Sequence, residues 1–104
     1  MHRLLIAGTS GLLGSNLAVM SRGKFKVQAI YHKHAVFFPD CECLKADFAC
    51  QAEVETLDSR PDIIINCIAL TDVDYCEEYP DEAYKANVVT VENLLDACRH
   101  LKPF

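Results

Sequence analysis

The glycine-rich turn near the N-terminus constrains the fold of this chain more than any other stretch. An apolar run over residues 4–7 leads directly into three glycines spaced three residues apart, and an apolar segment suited to a helix follows without a break. This order predicts a strand, a tight turn and a helix. Gly8 can adopt the positive φ that such a turn requires, and Gly11, which has no Cβ, lets an anion approach the backbone. Gly14 lets the new helix pack closely on its strand.

The same turn predicts a phosphate-binding site. The first N–H groups of a helix have no partner within it, and the positive end of the helix dipole attracts an anion. The spacing is Gly-x-x-Gly-x-x-Gly rather than Gly-x-Gly-x-x-Gly, and its place between a strand and a helix makes the signal specific. The alternative is an ordinary glycine-rich turn without a ligand. The candidate phosphate-binding residues are Gly8, Ser10, Gly11, Leu12, Leu13 and Gly14.

The hydrophobic pattern of the whole chain predicts the element order β-α-β-β-α-β-α. The predicted strands cover residues 3–7, 25–31, 41–46 and 62–67, and the predicted helices cover residues 12–21, 49–59 and 80–101, with one helical turn within residues 71–79. Such alternation predicts an α/β fold with a parallel sheet and helices on both faces. Right-handed crossovers then give the strand order 3-2-1-4.

Three of these elements carry expectations about burial. In the first helix, Leu13, Leu17 and Met20 recur at helical spacing and mark its apolar side. Three consecutive isoleucines at residues 63–65 predict a fourth strand that is covered on both faces. The predicted buried stripe of the last helix consists of Ala83, Ala86, Val89 or Thr90, Leu94 and Ala97.

Composition excludes several classes of protein. A chain of 104 residues with 51% apolar residues is a single globular domain, here residues 1–104. The formal net charge of −5 argues against nucleic acid or an anionic membrane as a partner. No run approaches the roughly 18 apolar residues that span a bilayer. Because the first strand starts within three residues of the N-terminus, we expect no targeting peptide and a cytoplasmic location.

The six cysteines do not form a recognisable metal site. They contain no Cys-x-x-Cys pair, and no cluster of histidines accompanies them. The pair Cys41 and Cys43 would lie on one face of a strand, which is a poor start for tetrahedral coordination. Scattered cysteines in a chain of this kind are mostly small buried apolar residues, so we expect no metal.

The second strand ends beside the glycine turn, where a bound dinucleotide has its adenosine ribose. An acidic residue there would select NAD by binding the 2′-hydroxyl. This chain instead has Tyr-His-Lys-His at residues 31–34, which favours a 2′-phosphate and hence NADP. The alternative is a solvated basic loop tip. The candidate ribose-binding residues are His32 and Lys33.

The third and fourth strands end at the same edge of the predicted sheet. Asp47 follows the third strand, and its carboxylate can accept a hydrogen bond from the amino group of adenine, with Phe48 beside it. The alternative role for Asp47 is an N-cap of the next helix. Small residues after the fourth strand would let the backbone pass under a cofactor, although Ile68 is bulkier than ideal. The candidate residues here are Cys67, Ile68, Ala69 and Thr71.

Together these stretches resemble the extended short-chain dehydrogenase/reductases, and within them the dTDP-4-dehydrorhamnose reductase branch. The resemblance covers nearly the whole chain. It rests on GTSGLLG at residues 8–14, DF at 47–48, RPDIIINC at 60–67, TDVDYCEE at 71–78, and AYKANV at 83–88 with NLL at 93–95. It implies part of a Rossmann domain that binds NADP(H) or NAD(H), in an oxidoreductase of dTDP-rhamnose biosynthesis that reduces a keto group on a nucleotide-linked sugar.

The sequence also departs from that family. None of its four tyrosines has a lysine four residues later, so the Tyr-x-x-x-Lys pair that carries proton transfer in the family is absent from these 104 residues. Thr90 stands where the family usually has glycine, and Ile68 where it usually has alanine. We therefore expect a truncated NAD(P)-binding domain, with no catalytic residues of its own, that is inactive alone.

Two interpretations remain open at this point. The chain is either the cofactor-binding part of a reductase or a non-catalytic dinucleotide-binding regulatory protein on the same fold, as the resemblance to the regulatory beta subunit of methionine adenosyltransferase implies. The apolar fourth strand has no predicted neighbour on its outer side, and such an edge invites association. We therefore expect a homo-oligomer, or a partner chain that covers this edge.

Overall fold

The computed structural model describes residues 1–50, 52–53, 61–68 and 73–97. Its elements follow the predicted order. The strands are β1 (Arg3–Ala7), β2 (Lys26–Tyr31), β3 (Cys41–Lys45) and β4 (Ile63–Asn66), and the helices are α1 (Leu12–Ser21), α2 (Val73–Glu78), α3 (Pro80–Tyr84) and α4 (Thr90–Ala97), with a π-helical turn at Lys85–Val89 between the last two. Of the helix predicted over residues 49–59, residues 52 and 53 are helical, and residues 51 and 54–59 lie outside the described part.

The four strands form one parallel sheet in the order β3-β2-β1-β4. Leu4 of β1 lies opposite Val27 of β2 on one side and Ile63 of β4 on the other. The predicted fold class and strand order are confirmed. Because all strands run in one direction, all four carboxyl ends meet at the same edge of the sheet.

The core lies on both faces of β1, whose successive side chains point in opposite directions. Two apolar clusters result, one on each face. The α4-side cluster contains Leu5, Ala7, Ile30, Ala46, Phe48 and Leu94, and the α1-side cluster contains Leu4, Ile6, Ala18 and Val27. Burial of each large side chain contributes roughly 1.5–3 kcal/mol.

The apolar side of α1 differs from the prediction. Gly14 and Ala18 are buried and Leu17 packs against the α1-side cluster. Leu13 and Met20 are 64% and 69% exposed. The reason is the close approach at Gly14, which brings small residues of the helix onto the sheet and turns the larger side chains outward.

The expectation that β4 is covered on both faces is wrong for the described residues. Ile63 is exposed, and Ile64 and Ile65 are half-buried. Within the part of the chain that the structure describes, β4 pairs with β1 on one side and no strand pairs with its other side. An edge strand keeps more of its surface accessible than a central strand such as β1.

The C-terminal helical region begins at Pro80, as predicted, but is not one regular helix. The π-helical turn interrupts it and shifts the register of α4 relative to α3. Thr90 and Leu94 are buried, whereas Ala83, Ala86 and Val89 are half-buried. The burial of Ala97 and the predicted extension to residue 101 lie outside what the structure describes. None of the described helices is long and apolar enough to cross a membrane.

Candidate functional site

The glycine turn after β1 has a backbone that only glycine accommodates at two positions. Gly8 has φ +83°, and a Cβ there would lie 2.9 Å from the carbonyl carbon of Cys67. A Cβ on Gly14 would overlap the carbonyl oxygen of Gly8 and lie 2.8 Å from its carbonyl carbon. The turn is therefore packed against the segment that follows β4, and α1 starts in contact with the turn.

The turn is also tied to the end of β2. The carbonyl oxygen of Ile30 accepts hydrogen bonds from the backbone N–H groups of Gly8 and Thr9, each at 3.1 Å. The Thr9 hydroxyl, which is fully buried, donates to the same oxygen at 3.0 Å. These three donors fix the glycine turn relative to the basic residues that follow Tyr31.

The N-terminus of α1 is free of side-chain caps. Gly11 is the N-cap residue and makes no side-chain hydrogen bond. The first helical hydrogen bond runs from the N–H group of Ser15 to the carbonyl oxygen of Gly11, at 3.0 Å. The N–H groups of residues 12–14 therefore have no acceptor within the helix. A Cβ at Gly11 would meet only the Gly8 carbonyl oxygen, at 3.6 Å, so the space in front of the helix is open.

A pocket of about 500 Å³ lies over the carboxyl ends of all four strands. Nine of the predicted site residues line it: Gly8, Ser10, Gly11, His32, Lys33, Asp47, Phe48, Cys67 and Ile68. Leu12, Leu13 and Gly14 do not line it, since the two leucine side chains point to solvent and Gly14 lies under the turn. Ala69 and Thr71 lie outside the described residues.

Five further lining residues were not predicted as site residues: Ile30, Tyr31, His34, Ala46 and Thr90. Three of these directly adjoin predicted residues at the ends of β2 and β3, and Ile30 lies two positions before His32, so the ends of the two strands already mark these four. Thr90 is different, because it lies 22 positions after Ile68 and is brought to the pocket by the packing of α4. Helical spacing makes it a possible member of the buried stripe of the last helix, but no local pattern in the sequence marks it as a pocket residue.

The rim of the pocket carries basic residues on the side of β2 and an acidic residue on the side of β3. His32, Lys33 and His34 are exposed on the side of β2. Asp47 lies across from them, with its Oδ2 atom 3.6 Å from Nε2 of His32. The other oxygen of Asp47, Oδ1, accepts a hydrogen bond from the Ala49 N–H group at 3.0 Å. Asp47 thus makes the local contact expected of a capping residue and also faces the pocket.

A comparison with known protein families decides where the chain belongs. The model of the family described as the RmlD substrate binding domain matches residues 1–103. The chain belongs to the RmlD family.

Relatives of this RmlD family member support the assignment. The chain is 35% identical over 104 residues to a dTDP-4-dehydrorhamnose reductase of Aggregatibacter actinomycetemcomitans, a match that covers 96% of the chain and 32% of the relative. The chain spans about a third of the length of the curated relatives it matches.

Two solved structures show the same architecture. A hypothetical dTDP-4-dehydrorhamnose reductase from Sulfolobus tokodaii superimposes with a TM-score of 0.82 at 34% identity, over 92% of this chain and 34% of that one. A dTDP-4-dehydrorhamnose reductase from Bacillus anthracis, solved in complex with NADP, gives a TM-score of 0.71 at 25% identity, over 93% and 32% of the two chains.

The wall of the pocket beside β4 is uncharged in the RmlD family chain. Burial raises the pKa of the Cys67 thiol, so this group stays neutral near pH 7. The N–H group of Ile68 donates to Oδ1 of Asn66 at 3.0 Å, which fixes the chain as it leaves the strand. The side chain of Ile68 lies against Gly8, since its Cγ1 atom is 3.0 Å from the position that a Cβ of Gly8 would occupy.

Proposed function

We propose that this chain is the NADP(H)- or NAD(H)-binding part of a dTDP-4-dehydrorhamnose reductase-like oxidoreductase that acts on a nucleotide-linked sugar. The observation that carries the proposal is the position of the pocket. It lies in front of the uncapped N-terminus of α1, at the carboxyl edge of a parallel sheet, where α/β proteins bind nucleotides. The NADP complex of the Bacillus anthracis relative supports the choice of cofactor.

The residues around the pocket fit a dinucleotide. The open space before Gly11 and the N–H groups at the start of α1 suit the pyrophosphate. His32 and Lys33 suit a 2′-phosphate on the adenosine ribose, and NADP is therefore the preferred cofactor in this proposal. The Asp47 carboxylate can accept from the amino group of adenine.

The bound cofactor would supply the hydride, and the residues of this chain would hold and orient it. The 104 residues contain no Tyr-x-x-x-Lys pair to move a proton to the substrate oxygen. We propose that they bind the cofactor without reducing a sugar by themselves. A second candidate function is a non-catalytic regulatory or interaction protein that binds the dinucleotide, as the resemblance to the regulatory beta subunit of methionine adenosyltransferase implies. The coding sequence beyond Phe104 distinguishes the two, because a further strand followed by Tyr-x-x-x-Lys would support a reductase.

The binding proposal is tested by titrating the protein with NADPH and NADH and following nicotinamide fluorescence. We expect saturable binding with Kd below about 1 mM, the usual range for a cofactor or substrate site. Absence of binding by both dinucleotides at that concentration would contradict the proposal.

A cytoplasmic location is part of the same proposal, and cell fractionation tests it.

The preference for NADP is tested by Lys33→Ala. Loss of a charged partner of the 2′-phosphate should weaken NADPH binding by about tenfold, while NADH binding stays within about twofold. Lys24→Ala is the matched control, because Lys24 is also exposed but lies before β2, at the opposite end of the sheet. Equal effects of the two substitutions on NADPH binding would show that Lys33 acts only through the overall charge.

A further inference from the structure

Asn93 is a buried polar residue on α4 with a specific long-range partner. Asn93 lies in the middle of α4, and only 9% of the residue is exposed. Its Nδ2 atom donates a hydrogen bond of 2.7 Å to the carbonyl oxygen of Phe48, 45 residues earlier in the chain. Phe48 is itself 2% exposed, so this carbonyl has little access to water.

The same face of α4 carries two more contacts with the pocket wall. Thr90, Asn93 and Leu94 have the i, i+3, i+4 spacing that places side chains on one side of a helix. Thr90 lines the pocket, and Leu94 belongs to the α4-side cluster that also contains Phe48. The helix therefore supports the segment 46–48 through apolar packing at Leu94 and a hydrogen bond at Asn93.

The supported segment bears the acidic side of the pocket. Ala46 is held by the bond from its N–H group to the Tyr31 carbonyl oxygen, at 2.9 Å. Phe48 is held by Asn93, and Asp47 lies between these two anchors with its carboxylate at the pocket. Asp47 also makes backbone hydrogen bonds of its own, from its N–H group to Oε1 of Glu53 at 3.3 Å and from the Cys50 N–H group to its carbonyl oxygen at 2.9 Å, and the anchor at Phe48 acts together with these two bonds.

We propose that Asn93 is a positioning residue for the adenine end of the cofactor, acting by anchoring Phe48 and thereby directing the Asp47 carboxylate into the pocket. This inference rests on the proposed function. Without the Asn93 amide, the buried Phe48 carbonyl loses the donor that α4 gives it in the described part of the chain, and a weakened buried hydrogen bond favours movement of the segment toward water. The carboxylate of Asp47 would then be displaced from its ligand.

The test compares the binding of two ligands to the intact protein. One is NADPH, and the other is the analogue of NADPH that has hypoxanthine in place of adenine, so that an oxygen replaces the amino group of the base. The Asn93→Leu variant has an apolar side chain of similar size and no donor. We expect it to weaken NADPH binding by about fivefold or more and to weaken binding of the analogue much less. The preference of the protein for NADPH over the analogue therefore shrinks. Asn93→Ser, which keeps a donor, is the milder second variant. Its preference for NADPH over the analogue should lie between that of the parent and that of Asn93→Leu.

A stability-matched control separates positioning from general destabilisation. Val27→Ala removes core volume from the α1-side cluster, on the other face of the sheet, and should lower the melting temperature without changing the preference between the two ligands. An unchanged preference in both Asn93 variants, with NADPH binding intact in the parent, would overturn this inference alone. Failure of the parent to bind either ligand would overturn the proposed function and this inference with it.

Discussion

The glycines of the turn have different roles. Gly14 is surrounded by the backbone of Gly8 and Thr9, so its missing Cβ is what allows α1 to start against the turn. Gly11 has φ −83°, which any residue can adopt, and open space where its Cβ would be. Gly14 is therefore required by the fold, and Gly11 is required by the ligand in the proposed function.

This difference predicts opposite results for two alanine substitutions. Gly14→Ala should lower the free energy of unfolding by about 3 kcal/mol or more, because the backbone at Gly8 must move. Gly11→Ala should change it by no more than about 1 kcal/mol, the scale of an N-cap effect, while weakening NADPH binding. Urea denaturation and fluorescence titration measure the two quantities. Equal losses of stability in both variants would contradict the prediction.

At the scale of elements, β4 is a strand in which no residue is fully buried. Its three isoleucines are sufficiently apolar for a central strand, yet Ile63 is 37% exposed and, in the described residues, only β1 pairs with the strand. A strand edge with unpaired N–H and C=O groups is a template for association. We propose that a second copy or a partner chain covers this edge.

The corresponding prediction concerns the mass of the 104-residue chain in solution. Sedimentation velocity should show an apparent mass that increases with protein concentration. Ile63→Lys should reduce this increase, because a charge on an edge strand opposes pairing with another strand. Leu95→Lys is the control, since Leu95 is a similarly apolar and more exposed residue on α4. A monomer mass at every concentration, or an equal effect of both substitutions, would argue against association through β4.

For the whole molecule, two thiols make stability depend on pH. Burial raises the pKa of both Cys41 and Cys67 above the ordinary value of 9.0, and both pack against the α1-side cluster. The folded protein therefore holds these protons more tightly than the unfolded chain does. The resulting stabilisation is complete below pH 9.0 and is lost as the pH rises through the folded pKa values.

We therefore expect the free energy of unfolding to fall as the pH rises above 9.0, the ordinary pKa of a thiol. Denaturant titrations at several pH values measure it. Other groups also ionise in this range, so the test is the difference between the parent and a Cys41→Ala/Cys67→Ala variant. That variant should show a shallower fall. Parallel curves for the two proteins would mean that the thiols make no contribution.

Much of the architecture was predictable from local patterns. The positive φ of Gly8, the bounds of β1 and α1, and the strand order follow from hydrophobic periodicity and glycine spacing, which act within a few residues. Parallel strands share a carboxyl edge, so residues at four separate strand ends were expected to lie close together. Residues from all four ends line one pocket in the structure.

Only the tertiary structure decided which side chains are covered. Leu13 and Met20 have the spacing of a buried face, but the contact at Gly14 sets the rotation of α1 and leaves them exposed. Thr90 and Asn93 reach the pocket wall because a π-helical turn sets the register of α4. Periodicity reports which residues are apolar, whereas burial depends on neighbours that are distant in the sequence, and a polar residue such as Asn93 gives no apolar signal at all.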